Sequence, residues 1–173
     1  MVTLGIIGAG RIGKVHTESI CNYVRNARIK TVADPFMNDT TRDWLLSMGV
    51  GSTTTDYHEI LNDPEIQAVL ICSSTNTHSI ISLEAIAAGK HVFCEKPIDH
   101  DLGKIKQVVQ ALKGSNIKYQ VGFNRRFDHN FAAVKQAVLD GKVGDVHIVK
   151  ITSRDPEPPA RSMPLCPAVC SWI

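Results

Sequence analysis

Residues 4–16 read LGIIGAGRIGKVH, and this stretch decides the fold. The apolar run Leu4–Ile7 ends at Gly8. Gly8, Gly10 and Gly13 then fall at the G-x-G-x-x-G spacing, and a segment of helical character starts at Arg11. Each glycine has its own task in such a loop. Gly8 permits the tight turn, Gly10 lets a pyrophosphate approach the backbone, and Gly13 lets the helix pack close to the strand. The N-terminus of the helix offers N–H groups and the positive end of its dipole to phosphates. Gly8, Ala9, Gly10, Arg11, Ile12 and Gly13 are therefore candidate cofactor contacts. Asp34 lies 21 residues beyond Gly13, at the end of the next strand-like run. An acid there binds ribose hydroxyls and repels a 2′-phosphate, which favours NAD over NADP. The plainer reading of the same residues is a glycine-rich turn with an acidic helix cap.

Working outward, short apolar runs alternate with helical patterns. Strands are predicted at Leu4–Ile7, Ile29–Ala33, Ala68–Cys72, His91–Cys94 and Lys118–Val121. Helices are predicted near 11–23, 37–48, 76–88 and 101–113. In the last of these Leu102, Ile105, Val108, Val109 and Leu112 share one face. Gly89 and Gly114 stand where helices end. Strands apolar on both faces need helices on both sides, and repeated strand–helix–strand units build a parallel sheet with right-handed crossovers. The expected fold class is α/β, a doubly wound parallel sheet of the NAD(P)-binding Rossmann kind. From about residue 122 a different unit opens, with a helix predicted at 127–139 and an alternating strand at Asp145–Thr152.

The bulk numbers exclude other classes. The chain has 173 residues, 43% apolar and 21% charged, with a net charge of +2. No basic patch suggests nucleic acid, and no apolar run approaches a membrane span. The N-terminus lacks the charged region of a signal peptide. The five cysteines, at 21, 72, 94, 166 and 170, form no disulfide framework, so a reducing cytoplasmic setting is expected. Cys166 and Cys170 lack partner ligands for a closed zinc site, and no metal is expected.

In an open α/β sheet, ligands bind beyond the carboxyl ends of the strands. After Cys72 come Ser73, Ser74, Thr75, Asn76 and His78. They are helix-capping residues by type, and they are also candidates to border the cofactor; His78 has a structural as well as a functional reading. After Cys94 come Glu95, Lys96 and Pro97. A surface ion pair would give no reason for the proline. Pro97 restricts its own backbone and that of Lys96, which would aim the ammonium into the crevice. A cation there could stabilise a developing alkoxide, or relay a proton if buried.

Taken with the glycine loop, TNTHSI at 75–80, HVFCEKPI at 91–98 and GFNRRFD at 122–128 resemble the Gfo/Idh/MocA oxidoreductases. With VKITSRDPEPP at 149–159 they are most similar to the members that oxidise myo-inositol to 2-keto-myo-inositol with NAD. The resemblance implies a Rossmann domain and an α/β substrate domain, a small polyol as substrate and a homo-oligomer for the intact enzyme. It implies that Lys96 is the active-site lysine and that Glu95 helps hold the cofactor site. Asn124, Arg125 and Asp155 would face the substrate. As residue types, Arg125 is equally a surface ion-pair partner and Asp155 a turn initiator before Pro156.

The family's later catalytic aspartate and histidine have no counterpart, because no Asp-x-x-x-His occurs in the sequence. After Pro159 the chain departs from the family, and five of its eight prolines fall between 156 and 173. The expectation is a truncated chain: residues 1–121 an NAD-binding domain, 122–159 the incomplete start of a substrate domain, and 160–173 an unrelated tail, as a shifted reading frame would leave. Two other functions fit the same residues. One is a family dehydrogenase of another sugar or polyol; the other is a non-catalytic NAD-binding fragment.

Overall fold

The computed structural model describes residues 1–152. They form two units, one from Met1 to Phe127 and one that begins at Asp128.

The first unit is a six-stranded sheet. Its elements run β1 (Val2–Ile7), α1 (Arg11–Tyr23), β2 (Ala27–Ala33), α2 (Asp39–Ser47), β3 (Ser52–Thr54) and α3 (His58–Asn62). They continue with β4 (Ala68–Ile71), α4 (Thr75–Ala87), β5 (His91–Cys94), α5 (Leu102–Leu112) and β6 (Tyr119–Val121). The strand order is β3-β2-β1-β4-β5-β6, and every pairing is parallel. This is a doubly wound Rossmann sheet. The order reverses between β1 and β4, where the register runs from Leu4↔Ala68 to Ile7↔Ile71.

Alternate residues of the strands enter two separate cores, which is why the strands are apolar on both faces. Ile7, Val69, Ile71, Val92 and Cys94 pack with Ile60, Leu61, Ile81 and Ala85 from α3 and α4. Ile6, Val32, Leu70 and Cys72 pack with Leu45 of α2 on the other side, joined by Ile12 and Ile20 of α1. Helix starts follow the expected chemistry: Asn38 accepts from the Thr41 N–H at 2.8 Å, and Asp101 accepts from the Gly103 N–H at 2.6 Å. Gly89 and Gly114 both take positive φ just past their helices.

Two elements were not anticipated, β3 and α3. β3 has three polar residues and is held by backbone pairing to β2 from Thr31↔Ser52 to Ala33↔Thr54. α3 is a five-residue helix that buries Ile60 and Leu61.

In the second unit, α6 (His129–Leu139) is capped by Asp128, whose carboxylate accepts from the N–H groups of Asn130 and Phe131. The helix predicted at 127–139 therefore starts after this cap; residues Asn124–Phe127 form a separate 3₁₀ turn. The strand predicted at Asp145–Thr152 is not formed. Alternation supplies an apolar face, but a strand also needs neighbours to pair its backbone and cover that face. No described residue pairs with this segment, and Ile148 and Ile151 are 87% and 75% exposed.

Candidate functional site

The carboxyl ends of β1, β2, β4 and β5 lie along one edge of the sheet, and the loops leaving them carry most of the polar residues singled out in the sequence. The glycine loop follows β1. Gly8 has φ +104°, and a Cβ on it would lie 2.6 Å from the Cys72 carbonyl and the Ser73 nitrogen. A Cβ on Gly13 would lie 2.0 Å from the Gly8 carbonyl oxygen, so α1 meets the loop at a distance no side chain allows. Gly10 differs: nothing lies within 4 Å of where its Cβ would be. It is exposed, it is the N-cap of α1, and no side chain caps that helix. Two glycines thus bring strand and helix together, and the third leaves open space at the helix N-terminus. Arg11 is exposed beside that opening, while Ala9 is buried and Ile12 half-buried. This is the steric form a pyrophosphate requires.

Asp34 follows β2 and is half-buried. Its Oδ2 accepts from the Ala9 N–H at 2.7 Å and its Oδ1 from the Phe36 N–H at 2.8 Å. The carboxylate therefore ties the glycine loop to its own loop. A carboxylate has about four acceptor positions, so two remain for other donors. Asp34 lines a cavity of about 210 Å³ with Gly8, Tyr57, Ser73, Ser74 and Thr77. The wall is polar on the side of Asp34, the serines and Thr77, and apolar at Ile7, Ala33 and Ile81, which suits a nucleoside.

Ser73 and Ser74 lead into α4. The Ser73 and Thr77 hydroxyls lie 2.7 Å apart, and Thr77 also donates to the Ser74 carbonyl at 2.7 Å. Thr75 is half-buried and Asn76 exposed in the first turn. His78 departs from its reading as a cofactor contact. Its ring is 2% exposed, with Nδ1 2.8 Å from the Pro97 carbonyl oxygen and Nε2 2.9 Å from that of Ser73. Both polar atoms are engaged inside the protein, so neither is available to a molecule in the cavity.

Beyond β5, Glu95 turns back toward α1. Its Oε1 lies 2.8 Å from Nε2 of His16, whose ring packs edge-on against Phe93 at 5.2 Å between centroids. A Cβ on Gly122 would stand 3.0 Å from the same Oε1, so glycine there makes room for the carboxylate. Lys96 is exposed and joined to Pro97 by a cis peptide bond. The buried surroundings that a proton-relaying lysine needs are not found around it among the described residues. Lys96 lines a second cavity, of about 440 Å³, with Phe123, Asn124, Arg125 and Arg126. The structure thus brings Lys96, Asn124 and Arg125 together. Asp155 and the tail at 160–173 lie outside the described residues.

The sequence reading missed His16, Tyr57 and Thr77. Thr77 and His16 were visible in motifs already quoted, but His16 meets Glu95 across 79 residues of chain, which no local pattern shows. Tyr57 donates to Glu84 at 2.7 Å, and burial, reinforced by that acid, raises its hydroxyl to a pKa of about 12. Cys72 lies under the site; burial and the nearby Glu95 push its thiol to about 12, so it is a packing residue and not a nucleophile.

Residues 2–123 match the model of an oxidoreductase family with an NAD-binding Rossmann fold, Gfo/Idh/MocA. The chain belongs to that family. Among Gfo/Idh/MocA relatives it is 42% identical to the myo-inositol 2-dehydrogenase of Thermotoga maritima, over 90% of this chain and 46% of that protein. It is 40% identical to the inositol 2-dehydrogenase of Rhizobium meliloti, over 91% of this chain and 47% of that protein. A crystal structure of a probable dehydrogenase from Thermotoga maritima superposes with a TM-score of 0.84 at 41% identity, covering 92% of this chain and 47% of that one. The scyllo-inositol dehydrogenase of Lactobacillus casei, solved with NAD(H) and scyllo-inositol, superposes at 0.78 with 35% identity, covering 84% and 43%. The chain therefore spans about half the length of the curated relatives it matches. NAD is the cofactor of this Rossmann family, and the loop sterics at Gly8, Gly10 and Gly13 with the cavity at Asp34 fit it. Among the described residues no helix is long and apolar enough to cross a membrane, and no group of acids, histidines and cysteines is placed to hold a metal ion.

Proposed function

We propose that this chain supplies the NAD-binding half of an inositol 2-dehydrogenase, which oxidises one CH–OH of myo-inositol to a ketone. The observation that carries the reading is the placing of Lys96: it stands beyond β5, next to the Glu95–His16 pair, in one cavity with Asn124 and Arg125. Named relatives at 40–42% identity supply the substrate class. When bound, NAD supplies the acceptor for the hydride of the ring carbon. The chain's own residues then have separate tasks. The backbone at Ala9–Gly13 holds the pyrophosphate. Asp34 takes the adenosine ribose hydroxyls with its two remaining acceptor positions. Ser73, Ser74, Thr75 and Asn76 border the sugar and the nicotinamide. Glu95, aimed by His16, fixes the floor beside the nicotinamide. In the whole enzyme a base takes the hydroxyl proton, and Lys96 donates to the substrate oxygen and stabilises the alkoxide charge it holds until the hydride leaves and the C=O bond forms. Asn124, Arg125 and Asp155 hold the remaining hydroxyls.

In this reading, residues 1–121 form the cofactor domain and residues 122–159 open the substrate domain. The protein works in the cytoplasm and the whole enzyme is a homo-oligomer; the free thiols Cys21, Cys72 and Cys94 agree with a reducing compartment. The test is NADH formation from myo-inositol and scyllo-inositol, by this chain and by a version extended to the relatives' full length. The proposal expects NAD binding by both and turnover by the extended form. Turnover of monosaccharides but of neither inositol would replace the substrate. NAD binding with no turnover of any polyol by either form would leave only a cofactor-binding module.

A further inference from the structure

His78 sits where no ligand can touch it, and its surroundings demand a particular protonation state. It is the fourth residue of α4 and 2% exposed. Nδ1 lies 2.8 Å from the Pro97 carbonyl oxygen and Nε2 2.9 Å from the Ser73 carbonyl oxygen. Carbonyl oxygens only accept. A neutral imidazole has one N–H, so one of its nitrogens would hold a lone pair against an oxygen inside 3 Å. Only the doubly protonated ring donates to both.

The two acceptors come from different parts of the sheet edge. Ser73 follows β4 and lines the cavity that Asp34 shares. Pro97 follows Lys96 beyond β5. We propose that His78 is a buried imidazolium that ties the β4 and β5 lips of the crevice together, and so positions Lys96 relative to the cofactor-side loop. It is a positioning residue, and the idea rests on the NAD-crevice reading only for its effect on binding.

The groups facing it allow this. Burial opposes the charge. The Cys94 thiol of β5 and the Pro97 and Ser73 carbonyls outweigh it and raise the ring to a pKa of about 9. Cys94 is in turn near Tyr119 of β6, which bonds Ser82 of α4. The nearby acids have other partners: Asp99 is held by Ser79 and by Lys104 of α5, and Glu95 by His16. The ring's affinity for protons in the folded state exceeds the ordinary value of about 6.5. Its contribution to stability is therefore complete below about 6.5 and is lost as pH rises through about 9.

The experiment is ¹⁵N-histidine NMR of the whole chain, with NAD affinity measured by calorimetry across the same pH range. At about pH 8, between the ordinary value of about 6.5 and the shifted one, His78 should carry both N–H protons. A single neutral tautomer at that pH overturns the proposal, whether or not the chain binds NAD. In Cys94→Ala the second proton should come off at a lower pH than in wild type, because the first of the groups that raise the ring is gone, but it should persist up to at least the ordinary value of about 6.5; a single neutral tautomer below that pH would assign the charge to a thiolate pair and refute the carbonyl clamp. NAD affinity of the wild type should fall as pH rises through about 9, and His78→Gln should bind weakly at every pH with that step removed. The same pH step in His78→Gln as in wild type would refute the positioning role. Failure of wild type to bind NAD at any pH, with both protons present, would instead refute the cofactor reading.

Discussion

Replacing Asp34 by alanine tests the cofactor site most directly. Two of the carboxylate's acceptor positions are already used, by the Ala9 N–H at 2.7 Å and the Phe36 N–H at 2.8 Å. Two more remain for the ribose hydroxyls. A hydrogen bond to a charged group is worth about 1.5–3 kcal/mol, and Asp34 is half-exposed, so the low end applies. Two such bonds give about 3 kcal/mol, or roughly 10²-fold in Kd. Calorimetric titration with NAD and with NADP should show that loss for NAD in Asp34→Ala, and a smaller gap between the two nucleotides, because the charge that repels a 2′-phosphate is gone. Asp34→Asn is the informative intermediate. Its amide keeps one acceptor, so it must give up either the Ala9 or the Phe36 N–H, and it lacks the charge. It should lose discrimination against NADP while keeping more of the loop's stability than alanine. An NAD affinity within about twofold of wild type, or about 0.4 kcal/mol, in Asp34→Ala, with preference over NADP unchanged, would sink the ribose assignment.

Gly13→Ala puts a methyl 2.0 Å from the Gly8 carbonyl oxygen. Neither partner is a flexible side chain, so the melting temperature should fall by the equivalent of about 1–3 kcal/mol or more and NAD binding should be lost with it. In the version extended to the relatives' length, Lys96→Met should lower kcat for the inositol by about 10²–10³-fold and leave NAD affinity near wild type; an unchanged kcat would remove Lys96 from the active site. Lys90 is a separate, structural case. Its buried ammonium donates to the carbonyls of Asp63 at 2.6 Å and Ile66 at 2.8 Å, so in chemical denaturation Lys90→Met should cost about 1–3 kcal/mol for each of the two stranded acceptors, without changing NAD affinity beyond that loss.

The sheet was legible because strands covered on both faces are written as short apolar runs, and β1, β2, β4, β5 and β6 appear in sequence within two residues of their observed limits. β3 was not legible: Ser52–Thr54 has no apolar signal, and its place is set by pairing with β2. The segment at 145–152 shows the reverse. Its alternation is clear, but a pattern of side chains makes no strand unless a neighbour pairs the backbone. In the site, the glycines and the Glu95–Lys96 tip declared themselves by spacing and by position at a strand end. The links between these pieces did not. Ala9 to Asp34, His16 to Glu95 and His78 to Pro97 are contacts across 25, 79 and 19 residues, and they depend on where parallel strands end side by side. His78 is the sharpest case, since by type it suits a ligand contact and by place it holds the framework.

The strand order has a consequence for how the molecule is made. β1 is made before the other strands of the sheet, yet it occupies the middle, and its partner on one side, β4, begins only at Ala68. Until then β1 can pair only with β2, and its other edge is an open row of backbone donors and acceptors. The seam between β1 and β4 is also where the glycine loop meets the Ser73 loop. The crevice is thus absent until β4 has been made and appears only once the two halves of the sheet have joined. A nucleotide that spans the seam contacts both halves, so it should favour the joined state by mass action, as a ligand of the native form does. The cellular NAD level would then help to set how much of the newly made chain escapes degradation.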